Sequence, residues 1–213
     1  MLVPFLNGEE WQQEQREAAI TVGIVYAALS AHDYIKEIDA TSKEQQLTVL
    51  AGDFYSGRYY EILAMSGNVA LIRNLSQGIV ARCENQIKVY EAANRSVEQW
   101  FASMSNIESG LISKFFELYS LGAYIPIMEK SLLILRLEKE WSAYQRGQVS
   151  LMGGALEESA RHAGATFNSV IQNKIVQLKT ELLKAIDDAS FLQSDVKQAL
   201  QARVEASIAS TNG

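Results

Sequence analysis

Gln46-Leu47-Thr48-Val49-Leu50-Ala51-Gly52-Asp53-Phe54-Tyr55-Ser56-Gly57-Arg58-Tyr59-Tyr60 is a helical run that keeps glycine and a carboxylate among apolar neighbours. Glycine costs a helix interior about 1 kcal/mol relative to alanine, and a carboxylate held away from water needs hydrogen bonds. At helical spacing Asp53 shares a face with Gly52 and Tyr60, while Leu47, Leu50, Ala51 and Phe54 take the opposite one. Both faces read as buried. Asp53 is then expected to be partly buried, accepting hydrogen bonds from a neighbouring helix or from a second chain.

Outward from this run, the same period continues with little interruption. A helix over 9–38 breaks at Asp39-Ala40-Thr41-Ser42, and the Gly-Asp helix fills 43–65. Ser66-Gly67-Asn68 makes a turn into a long helix over 69–103, whose seam is Ile72, Leu75, Ile79, Gln86, Val89 and Tyr90. Ser105-Asn106 caps a helix over 107–121 ended by Gly122, and Pro126 opens one over 126–146 ended by Gly147. Helices over 150–163, 166–189 and 194–209 complete the chain. Only 2 Pro occur, and the 13 Gly punctuate helical stretches without clustering in strand turns, so the fold class is all-α, a helical bundle. With 213 residues, 48% hydrophobic and 21% charged, a single domain over 1–213 is expected, frayed at 1–8 and 210–213.

Composition excludes several classes of function. A net charge of −6 with no Lys/Arg block argues against nucleic acid or an anionic membrane surface as the main partner. Cys83 is the lone cysteine, so there is no intrachain disulfide, and it reads as a small apolar filler on a helix. The apolar run 18–31 is too short to span a bilayer, and residues 1–10 lack the basic start of a secretory signal; a cytoplasmic protein is expected. The acids at Glu138, Glu140, Glu157 and Glu158 read as solvated helix faces, and Asp187-Asp188 as a solvated turn between helices. His162 reads as a helix C-terminal cation.

The words of the Gly-Asp helix, together with His32-Asp33-Tyr34-Ile35-Lys36-Glu37 upstream, resemble trans-polyprenyl diphosphate synthases, and most closely the small, component I subunits of heteromeric heptaprenyl diphosphate synthases. Relatives with activity carry His followed by Asp-Asp-x-x-Asp at this place. Here the motif is degenerate: His32, Asp33 and Glu37 remain, with Tyr34 and Lys36 among them. Mg²⁺ requires several converging oxygen ligands, which this remnant does not offer beyond a weak Asp33/Glu37 contact. No second aspartate-rich motif and no Arg-Arg diphosphate clamp follow. The resemblance covers about half the chain, clearest over 46–60 and weak after Leu121.

The resemblance implies a reduced isoprenoid-synthase-like bundle with no catalytic residues, no metal and no cofactor of its own. Mg²⁺ and the diphosphate substrates would belong to a large catalytic polyprenyl diphosphate synthase subunit (component II), and the product would serve menaquinone side-chain synthesis. Asp53, Phe54, Tyr55, Arg58, Tyr59 and Tyr60 are the candidates for contact with that partner or with the growing polyprenyl tail, Arg58 as a buried or rim anchor. Without the partner, an apolar interface could pair with a second copy. The resemblance also implies that an N-terminal helix or two is missing ahead of the motif. The alternative is a helical scaffold without prenyl chemistry.

Overall fold

The computed structural model describes residues 1–33, 42–91 and 95–209. Among them are nine α-helices and no strand: α1 Val3–Leu6, α2 Gln13–Asp33, α3 Lys43–Ser66, α4 Val69–Ile87, α5 Val97–Leu118, α6 Ile125–Gln145, α7 Leu151–His162, α8 Phe167–Asp188 and α9 Ser194–Ala209. None of them is long and apolar enough to cross a membrane.

α5 is the spine. Trp100, Met104, Ile107, Leu111 and Phe115 recur every three to four residues and are buried against α2, α4, α6 and α7. Burying each such side chain contributes about 1.5–3 kcal/mol. The expected helix over 69–103 is therefore two helices. α4 stops at Ile87, one 3₁₀ turn covers Lys88–Tyr90, and α5 starts under a capping box in which Ser96 and Gln99 satisfy each other's backbone N–H. Ser105 and Asn106 are not a cap but lie inside α5, where Asn106 accepts from Asn85 across the α4 contact at 3.1 Å. Small residues suit that contact: a Cβ on Gly78 would stand 3.0 Å from Leu111 Cδ2.

The seam of α4 departs in part from the expected one: Leu75 is buried as expected, and Ile79 and Val89 pack against the core. Leu71, Leu75, Gly78 and Arg82 are buried, whereas Ile72 and Tyr90 are exposed. The Ser66-Gly67-Asn68 turn is as read, Gly67 at φ +61° and Asn68 capping α4 through the Leu71 N–H at 2.8 Å. α2 starts at Gln13, later than residue 9, and the end of that expected helix lies outside the described residues. Ser150 and Thr166 cap α7 and α8. Asp187 and Asp188 are exposed at the end of α8, and His162 is exposed at the end of α7.

Where fraying was expected at 1–8, the chain is clasped. Asn7 is buried, its amide donating to the Tyr124 hydroxyl at 2.7 Å and to the Phe191 carbonyl at 2.9 Å while its oxygen accepts from the Gln193 N–H at 2.6 Å. The N-terminal segment is thus tied to the α8–α9 turn. Residues 210–213 lie outside the described residues.

Candidate functional site

α3 packs along α2, its one extensive helical neighbour among the described residues. Its buried positions are Gln45, Gly52, Tyr59 and Leu63, a single narrow stripe. Gly52 is buried because the His32 imidazole lies on it: a Cβ there would stand 2.6 Å from His32 Cε1. The two halves of the sequence motif therefore meet in space through an edge-of-helix ring on a bare backbone.

Most of the face opposite Gly52 is exposed, which corrects the two-sided burial expected from sequence. Asp53 is exposed, so no buried carboxylate has to be satisfied there. Leu47, Leu50 and Phe54 are 56%, 62% and 65% exposed and lie on the face opposite Gly52. Gly57 continues that line, and a Cβ on it would meet nothing within 4 Å. Tyr55 and Tyr60 are exposed beside it. Arg58 is also exposed and pairs with Glu61 one turn on, so it is no buried anchor; such surface pairs contribute little.

Between α3 and α4 runs an apolar groove of about 350 Å³, lined by Tyr59, Tyr60, Leu63, Ile72, Leu75 and Ile79 among others. The Tyr59 and Tyr60 rings stand 4.5 Å apart at its edge. Burial first, then the hydroxyl of Tyr60, pushes the Tyr59 phenol up to about 12. Cys83 is exposed, contrary to the filler role expected.

At the end of α2, Asp33 Oδ2 stands 2.7 Å from Arg82 Nη2. Arg82 is buried, with its guanidinium 5.5 Å from the centre of the Tyr26 ring. The Tyr26 hydroxyl donates to Glu108. Glu108 in turn accepts from Arg136 at 2.7 Å, and Arg136 also holds Glu140 at 2.7 Å. The Ser150 hydroxyl donates to Glu140 at 2.7 Å, and Gly153 leaves room for that carboxylate, since a Cβ there would stand 3.0 Å from Glu140 Oε2. Polar groups thus cross the bundle from α2 to the cap of α7. Glu140 is not on a solvated face, and Glu138 pairs with buried Lys179 at 2.9 Å. Sequence reading missed Arg82, Glu108, Arg136 and Glu140. The signal was present for Glu140, which follows buried Leu133 and Leu137 at helical spacing.

The phenols make a prediction about alkaline pH. Burial first, then the hydrogen bond to Glu108 and its charge, pushes Tyr26 above the ordinary value of 10.0, and burial first pushes Tyr119 up to about 12. Unfolded phenols release their protons near 10 while the folded ones hold them, so the stabilisation is complete below pH ~10 and is lost as pH rises toward about 12. The urea midpoint is expected to fall steeply over that window, and less steeply in Tyr26→Phe. An unchanged slope in that variant would contradict the assignment.

The described residues at the end of α2 offer Mg²⁺ a single carboxylate, Asp33. Asp33 is already engaged by a guanidinium, Glu37 lies outside the described residues, and no group of three or more metal-ligating side chains occurs among the described ones.

The described residues define an all-α bundle in which Asp33, at the end of α2, pairs with the buried Arg82 of α4. The chain belongs to the family described as heptaprenyl diphosphate synthase (HEPPP synthase) subunit 1, whose profile matches residues 1–187. It is similar to heptaprenyl diphosphate synthase component 1 of Geobacillus stearothermophilus, with 29% identity over 192 residues, covering 90% of this chain and 87% of the relative. No solved structure matches it.

Proposed function

We propose that this chain is a non-catalytic subunit of a heteromeric all-trans polyprenyl diphosphate synthase, acting with an aspartate-rich partner that carries Mg²⁺ and the diphosphate substrates. The observation that carries this reading is the outward line of Leu47, Leu50, Phe54 and Gly57 on α3, an apolar stripe largely exposed among the described residues. Contiguous exposed apolar surface marks interaction sites, and aromatic anchors dominate interface energies. Phe54 and Tyr55 serve as anchors on the partner, with Asp53 and Arg58 on the rim. The Tyr59/Tyr60 groove adjoins the tunnel in which the polyprenyl tail grows, and bulky residues there limit its length. The product is a heptaprenyl chain for menaquinone side chains, made in the cytoplasm, and this chain acts as a single domain. In the partner's absence the same stripe pairs with a second copy.

The test is condensation of isopentenyl and farnesyl diphosphates with Mg²⁺ by this chain, by an aspartate-rich candidate partner, and by their mixture. Only the mixture is expected to make long product. Product from this chain alone would overturn the non-catalytic assignment.

A further inference from the structure

Arg82 occupies a core position. It follows Leu71, Leu75 and Gly78 on the buried stripe of α4, at spacings that leave no doubt of its inward direction, and only 4% of its side chain is exposed. A charge placed there needs a counter-charge, because an unpaired one is strongly destabilising. Asp33 supplies it at 2.7 Å. The guanidinium also faces the Tyr26 ring, whose hydroxyl is given to Glu108. Among the described residues Arg82 Nε has no hydrogen-bond partner, and Asp33 is the carboxylate paired with the guanidinium.

A divalent ion seeking Asp33 would have to displace this contact and sit beside a fixed positive charge. Mg²⁺ also demands near-octahedral oxygen coordination, which one shared carboxylate does not give. We propose that Arg82 is the resident cation of the degenerate motif: its guanidinium takes the carboxylate that a metal would need and fastens the end of α2 to α4 by a metal-independent clasp. His32 adjoins Asp33 and rests on Gly52, so the clasp also sets the level at which α3 lies along α2. The outward stripe of α3 is then held in place without Mg²⁺. This inference concerns the chain by itself and stands or falls apart from assembly with any partner.

The experiment uses the full chain alone, melted in excess MgCl₂ and in EDTA, with Mn²⁺ titrated in parallel and read by electron paramagnetic resonance. The midpoint of the unaltered protein is expected to agree in the two buffers within about 1 °C, with no Mn²⁺ immobilised. Arg82→Met is expected to lower the midpoint by about 5–10 °C in both buffers, and Arg82→Lys by less. A rise in midpoint with Mg²⁺, or Mn²⁺ binding, that Asp33→Asn abolishes would overturn the proposal. So would an Arg82→Met midpoint equal to that of the unaltered protein. Ion binding that survives Asp33→Asn does not use this carboxylate and leaves Arg82 as its cation. If Arg82→Met does not fold, the unaltered protein, Asp33→Asn and Arg82→Lys decide the matter.

Discussion

Gly57→Leu is expected to raise the stability of the isolated chain by up to about 1 kcal/mol and to abolish product formation in the mixture with the catalytic partner. The opposition of signs is the point. Gly57 sits inside α3 with ordinary helical geometry, and a Cβ on it would enter open space. Nothing among the described residues repays the roughly 1 kcal/mol that a mid-helix glycine costs. A partner backbone approaching closely at that level would repay it, and a leucine would hold the two apart. Phe54→Asp, one turn earlier, removes an anchor that is 65% exposed. It should leave the thermal midpoint nearly unchanged and lower the activity of a dilute mixture by roughly 30- to 700-fold, the range for losing a 2–4 kcal/mol hot spot. The measurement is product formation against subunit concentration, with melting curves of each variant alone. A stabilised Gly57→Leu chain that supports full activity would remove this face from the interface.

The boundaries that could be read from sequence were those with chemical punctuation. Gly67 and Asn68 stand in the expected turn, and Pro126, Ser150 and Thr166 stand within one residue of where helices were expected to begin. The break between α4 and α5 was hidden because Val89 and Tyr90 prolong the apolar period through a segment that is no longer α-helical. Ser105 and Asn106 misled for the opposite reason: both are good caps, yet here they serve a close helix contact. At the site, periodicity sorted α3 into two faces and could not say which of them this chain covers itself. Gly52 was legible as unusual, but its reason, the His32 ring, required the fold. The partner of Asp33 lies 49 residues away on another helix, a distance at which pattern reading has no purchase.

Arg136→Met should be the most destabilising single change in the polar chain that crosses the bundle. Arg136 stands 2.7 Å from Glu108 on α5 and 2.7 Å from Glu140 on its own helix, and the three side chains are 17%, 18% and 7% exposed. Burial by itself would lower the Arg136 pKa; the two carboxylates outweigh it and hold it above its ordinary value. Methionine fills much of the same volume and supplies no charge. Two carboxylates are then left facing each other with only the Tyr26 and Ser150 hydroxyls as donors. Breaking a buried pair in this way costs about 3–5 kcal/mol, or a midpoint lowered by roughly 10 °C in a chain of this size. The exposed pair gives the contrast: Arg58→Met should change stability by less than about 0.5 kcal/mol, since Arg58 and Glu61 are half in water. Adding Glu108→Gln to Arg136→Met should recover part of the loss, because one uncompensated charge disappears while a donor and an acceptor remain for Tyr26. A loss for Arg136→Met no larger than that for Arg58→Met would mean that water reaches the two carboxylates and that the α5–α6 contact holds without them.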